Sequence, residues 1–133
     1  TDEALFVLAA SLPKSLEGLF LRFNGCTRIT GAGFRAVMER LPSTLKVLEL
    51  GFSGCDGIAD DGFKALGSAL PVGLEDVVIN MNNCLSMTDA GLREMMGGMP
   101  AGVRQLSLFL SLNRGISDAG VSATWEHLPP SLR

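Results

Sequence analysis

Residues Leu45–Pro71 read LKVLELGFSGCDGIADDGFKALGSALP, and the rest of the chain is written by the same rule. Leu45, Leu48 and Leu50 open the stretch as L-x-x-L-x-L. Phe52, Cys55 and Ile58 continue it, and Phe63, Leu66 and Leu70 close it before Pro71. Leu48, Leu50 and Phe52 alternate at period two, the pattern of a strand with one buried face. Ser53-Gly54 is a turn-forming pair. Phe63, Leu66 and Leu70 then fall at i, i+3 and i+7, one face of a helix. Pro71 cannot continue helical hydrogen bonding and so stops it. The stretch predicts a strand, a turn and a helix of about three turns.

The pattern recurs at a 29-residue interval. Leu16, Leu45, Leu74, Val103 and Leu132 form one column, and Leu19, Leu48, Val77 and Leu106 the next. Leu21, Leu50, Ile79 and Leu108 follow, then Phe23, Phe52, Met81 and Leu110. Cys26, Cys55 and Cys84 share a column with Asn113, and glycine holds positions 33, 62, 91 and 120. Each copy ends on Pro42, Pro71, Pro100 or Pro129. The expected organisation is a half repeat at 1–14, repeats at 15–43, 44–72, 73–101 and 102–130, and the start of another strand at 131–133. One such unit cannot bury its apolar face alone. Stacked copies share a core, with the strands in one parallel sheet and the helices outside. Neither end carries a polar capping repeat, so a segment of a longer solenoid, or ends covered by other subunits, is expected. Thr30, Thr88 and Ser117 occupy N-cap positions, whereas Ala59 has no cap oxygen, which assigns that role to Asp60.

The composition is globular: 47% apolar, 19% charged and a formal net charge of −3. Eleven Lys and Arg scattered among the repeats do not form the basic cluster that nucleic acid or an anionic membrane requires. No apolar run reaches the roughly 18 residues of a membrane span. Three cysteines, an odd count, favour a reducing, intracellular compartment.

With its L-x-x-L-x-L segments, the chain resembles the leucine-rich repeat family. Met87-Thr88-Asp89-Ala90-Gly91-Leu92 and Ile116-Ser117-Asp118-Ala119-Gly120-Val121 resemble the cysteine-containing subclass. The 29-residue length resembles the ribonuclease-inhibitor-like subclass. The resemblance covers essentially the whole chain. It implies an α/β leucine-rich-repeat solenoid with its parallel sheet on the concave face and its helices on the convex face.

No residue constellation points to a reaction. The cysteines fall in one column with side chains aimed the same way, poor geometry for a bridge, so they read as buried free thiols. Zinc would want C-x-x-C or nearby histidines, and neither is present. Gly51, Gly54 and Gly57 lack the Lys and Ser or Thr of a phosphate loop. Asp56, Asp60 and Asp61 do not match a calcium loop. His127 has no placed nucleophile beside it. Trp125 is expected either to fill core space left by Thr124 or to present an aromatic anchor on the convex side. The chain therefore reads as non-enzymatic, with no cofactor and no metal.

The informative positions are those that do not repeat. Alternation turns Phe20, Arg22, Asn24, Val47, Glu49, Asp76, Val78, Asn80, Gln105, Ser107 and Phe109 toward the concave side. These are the candidate partner-contacting residues, with Phe20 and Phe109 as aromatic anchors. Four strands at ~4.8 Å, each ~17 Å long, give a face of ~300 Å², against the ~800 Å² per partner of a stable interface. That area suits a peptide, or a share of a larger contact. Three functions fit: a protein-interaction module or scaffold, a structural subunit of a large assembly, or the recognition arm of a ubiquitin-ligase-type complex. The last is implied by the cysteine-containing resemblance alone. All three place protein or peptide partners, within a larger complex, on this chain.

Overall fold

The computed structural model describes residues 1–133, and every L-x-L segment is a five-residue strand. The elements run α1 (Asp2–Ser11), β1 (Gly18–Arg22), α2 (Gly31–Met38), β2 (Val47–Gly51), α3 (Asp60–Ala69), β3 (Asp76–Asn80), α4 (Asp89–Gly97), β4 (Gln105–Phe109) and α5 (Asp118–Trp125). The strands pair in parallel, in chain order, with each residue opposite the one 29 positions on. Leu19, Leu48, Val77 and Leu106 therefore form one row across the sheet, and Leu21, Leu50, Ile79 and Leu108 another. Both rows face one continuous core, which Phe34, Phe63, Leu66, Leu92 and Met95 enter from the helices. Phe34 meets Phe52 edge-on at 4.9 Å between ring centres, a favoured aromatic geometry.

The helices are shorter than three turns where the stop precedes the proline. α2 ends at Met38, and Arg40 N–H and Leu41 N–H bond to the carbonyls of Val37 and Met38, three residues back. Such tightened bonds satisfy helix-end carbonyls before Pro42 is reached.

After each strand the chain turns through a left-handed residue: Gly25 and Gly54 at φ 73°, Asn83 at 55° and Leu112 at 63°. Glycine and asparagine take this conformation readily, whereas a leucine there costs ~1–2 kcal/mol. Beyond the turn the cysteine column forms a ladder. Cys55 Sγ donates to the Phe23 carbonyl at 3.2 Å and Cys84 Sγ to that of Phe52 at 3.3 Å. Asn113 takes the same place: its Nδ2 donates to Met81 O at 2.9 Å, and its Oδ1 accepts from Cys84 N–H at 2.6 Å. All three cysteines are free; Cys55 and Cys84 are buried, while Cys26, in the first repeat, is half-buried. Burial pushes the Cys55 thiol up to about 11 and that of Cys84 up as well.

The helix starts correct one expectation. Thr30, Thr88 and Ser117 do cap their helices, accepting from the N–H groups of Ala32, Ala90 and Gly120. Asp60 does not cap α3, whose N-cap Ala59 makes no side-chain bond. Its carboxylate reaches the next repeat and accepts from Thr88 N–H at 2.8 Å and from the Thr88 hydroxyl. Asp2 holds Thr30 in the same way, and Asp89 holds Ser117. Three of the four column glycines follow from this. A Cβ at Gly33, Gly91 or Gly120 would run into the carboxylate of Asp2, Asp60 or Asp89 respectively.

Candidate binding surface

Alternation along the strands leaves one side chain in two on the sheet face turned away from the helices. Phe20 is 61% exposed and Phe109 49%. Arg22, Asn24, Gln105 and Ser107 are exposed, and Val47, Glu49, Asp76, Val78 and Asn80 are half-buried. The register sets these residues in rows. Phe20, Glu49, Val78 and Ser107 lie side by side, as do Arg22, Gly51, Asn80 and Phe109. Val47, Asp76 and Gln105 form a third row with Gly18. The two phenylalanines thus stand on the outermost strands, three strand spacings (~14 Å) apart across the sheet and offset by two residues along it, ~16 Å in all.

Two charged groups on this face are already engaged. Arg22 Nε and Nη2 both bond to Glu49 Oε1, at 2.8 and 2.6 Å. The pair is solvent-accessible, with 73% of the Arg22 side chain exposed, so its contribution to stability is ~0–1 kcal/mol. Arg104 lies 3.3 Å from Glu75 at the strand entrances. The asparagines are held by their oxygens. Asn24 Oδ1 accepts from Ser53 N–H at 2.9 Å, Asn80 Oδ1 from Asn82 N–H at 3.2 Å, and Asn82 Oδ1 from Ser111 N–H at 2.6 Å.

Alternation also turns Gly51 to this side, and there the structure differs from its neighbours. Gly51 lies in the solvent-facing row yet is buried, because the Asn24 amide and the Arg22 stem fold over it. With no side chain there, a hollow of about 300 Å³ opens between Arg22, Asn24, Asn80 and Phe109. The sequence did carry the signal: a glycine inside a strand marks a place where something else approaches the backbone.

Trp125 is the second correction. It is 69% exposed and not part of the core. α5 packs against α4, and Thr124 turns its hydroxyl onto the Val121 carbonyl. Trp125 instead stands on an apolar hollow of about 470 Å³ on the outer flank of the last repeat, with Leu106, Leu108 and Leu132. His127 follows α5 in a turn, half-buried, with Nδ1 3.1 Å from the Ala123 carbonyl. No three His, Cys, Asp or Glu side chains are grouped to hold a metal ion. No helix is long and apolar enough to cross a membrane.

No protein-family model matches the chain, and no curated protein does. Among solved structures it is similar to the leucine-rich repeat-containing protein LegL7 from Legionella pneumophila. The two are 20% identical over 99% of this chain, with a TM-score of 0.61. The fold is a leucine-rich-repeat solenoid. The chain spans 41% of the length of LegL7. It is also similar to the tropomodulin C-terminal domain of Caenorhabditis elegans, at 11% identity over 96% of this chain and 90% of that one, with a TM-score of 0.54. At these identities the likeness is one of architecture.

Proposed function

We propose that this solenoid is a non-enzymatic protein-interaction module that takes an extended peptide segment across the sheet face turned away from its helices. One observation carries the reading: core-facing positions repeat from copy to copy, while solvent-facing positions differ and present Phe20 and Phe109 to solvent. Large aromatic side chains are strong interface anchors, and a face of ~300 Å² accommodates a peptide. The test compares wild type with a Phe20→Ala/Phe109→Ala double variant, each immobilised and used to capture partners quantified by mass spectrometry. Both substitutions are at exposed positions, so the fold, checked by circular dichroism, is retained. Loss of the wild-type partners from the variant is expected. An unchanged partner set defeats the reading.

A second reading, a subunit fixed in a larger assembly, is favoured by the apolar flank at Leu106, Leu132 and Trp125. Size-exclusion chromatography separates the two. A soluble monomer counts against the assembly subunit and leaves the peptide-binding reading intact.

A further inference from the structure

Neighbouring helices in this stack are joined by two different kinds of link. Asp2 ties α1 to α2, Asp60 ties α3 to α4, and Asp89 ties α4 to α5, each through an N–H and a hydroxyl. Between α2 and α3, Gly31 and Ala59 occupy both tie positions, so no carboxylate crosses there. That seam is held at the surface instead. Of the chain's four ion pairs three span it: Arg22–Glu49 at 2.6 Å, Arg35–Asp61 at 2.7 Å and Lys46–Glu17 at 3.9 Å. Each has a partner whose side chain is more than half exposed, and such pairs are weak and screened by salt. The interior of the seam differs too. Phe34 meets Phe52 at 4.9 Å and Phe63 at 6.5 Å, and Phe23 meets Phe52 at 5.5 Å, all across this seam. Ring pairs keep favourable contact over centroid separations of ~4.5–7 Å, so these can roll on one another. Met38 stands where Gly67 stands one repeat on. Gly67 and Gly98 let α3 and α4 meet backbone to backbone, whereas Met38, a flexible side chain, floors an open groove of about 530 Å³ between α2 and α3.

We propose that the solenoid hinges at this seam, with α1, β1 and α2 moving as one body against the rest of the stack and the Arg35–Asp61 pair as the latch. The pivot is fixed by what stays joined. β1 and β2 are paired along their whole length, and Gly31 N–H bonds to the Gly57 carbonyl at 2.9 Å beside the helix starts. The groove lies toward the helix ends, at Met38, Leu41, Ala65 and Ala69, and there the two bodies can part. Phe20 belongs to the first body and Phe109 to the second. The sheet lies between the groove and these two rings, so widening the groove turns Phe20 toward Phe109 and deepens the concave face. The hinge stands on these links alone. Only its effect on a partner rests on the reading of that face as a peptide-binding surface.

The experiment measures distances between spin labels by pulsed dipolar electron paramagnetic resonance. Ala10, Ser68 and Glu126 are exposed and share one repeat column, each two helices from the next. Labels at Ala10→Cys/Ser68→Cys span the untied seam. Labels at Ser68→Cys/Glu126→Cys span only tied ones. Cys26→Ser in both removes the one thiol that is not buried. Arg35→Gln opens the latch, and is expected to broaden the Ala10–Ser68 distribution toward longer distances by several ångströms while leaving Ser68–Glu126 as it was. Gly31→Asp/Ala59→Thr/Asp61→Ala copies a tied seam, including the alanine that Ala90 and Ala119 supply at that position in later repeats, and Gly62 already provides the column glycine. It should narrow the Ala10–Ser68 distribution although the latch is gone. An Ala10–Ser68 distribution unmoved by Arg35→Gln, equal broadening of both label pairs, or a triple variant as broad as Arg35→Gln each overturns the hinge. Should the triple variant fail to fold, the Arg35→Gln comparison decides alone. No partner is present in any of these measurements, so the peptide-binding reading still stands or falls with the Phe20/Phe109 variant.

Discussion

Asn113 shows how far one substitution within a repeat column can depart from its neighbours while keeping their job. Cys55 and Cys84 each give an S–H to a carbonyl of the preceding repeat, and Asn113 gives its Nδ2 to Met81 O in the same position. It adds an acceptor for Cys84 N–H that a thiol does not supply. Asn113→Ala leaves both buried backbone groups unpaired, and stability should fall by ~3 kcal/mol in urea unfolding. Asn113→Cys restores the donor, and Cys84 N–H can turn to Met81 O as Cys55 N–H does to Phe52 O. Its loss should be nearer ~1 kcal/mol. Equal losses for the two variants would place the stabilisation in packing and not in the ladder. In the sequence, Asn113 is visible only as a break in the column. Its double role needs the position of the Cys84 amide, and no spacing rule contains that.

At the scale of elements, the helices are tied to one another by carboxylates. Asp2, Asp60 and Asp89 each take an N–H and a hydroxyl from the start of the following helix. The tie is missing between α2 and α3, where Gly31 replaces the aspartate and Ala59 the hydroxyl residue, so both partners are lost together. An Arg35–Asp61 ion pair at 2.7 Å spans that seam, beside a groove of about 530 Å³ floored by Met38, Leu41 and Ala65. Between α3 and α4, by contrast, Gly67 and Gly98 bring backbone against backbone, and a side chain at either would collide. The ties made by Asp2 and Asp89 are sensitive to acid. For Asp2, burial pushes the carboxyl up, but the Thr30 hydroxyl and N–H and the N-terminal charge outweigh it and hold it below its ordinary value. For Asp89, the Ser117 hydroxyl and N–H lower it directly. A carboxyl depressed in the folded state contributes stability that is fully present above the unfolded value of about 3.9 and is lost as pH falls through the folded one. The urea midpoint of wild type should therefore drop below about pH 4, and Asp2→Ala/Asp89→Ala should show a shallower acid limb from a lower plateau. Parallel limbs would mean that other carboxyls govern acid unfolding. Strand and helix positions were readable in the sequence because periods of two and of 3.6 are imposed by burial. The ties were not, since Asp60 beside Ala59 looks like a local cap until the next repeat is placed against it.

For the whole molecule, stacking in one dimension means that each repeat is only as stable as its two neighbours make it. Burial is deepest in the middle: Leu48, Leu50, Val77 and Ile79 are at most 1% exposed, and Phe63, Leu66, Leu92 and Met95 are fully covered. Toward the last repeat it thins. Leu106 and Leu108 are only half-buried, and α5 buries Gly120 alone while Val121 and Trp125 stand exposed. Leu112, held at positive φ where the other copies use glycine or asparagine, adds strain to the same repeat. The 29-residue columns made the stack legible in the sequence, but not this gradient, because burial depends on neighbours that a repeat pattern treats as equal. Opening free energies of amide groups follow local burial and contact. Native-state hydrogen exchange should therefore find the slowest amides in β2, β3, α3 and α4, with β4 and α5 exchanging through openings well short of global unfolding. Low concentrations of urea should leave that order unchanged while the central amides merge toward the global limit. Uniform protection from β1 to α5 would instead show a single cooperative unit, and would imply that the exposed flank around Trp125 costs the last repeat nothing.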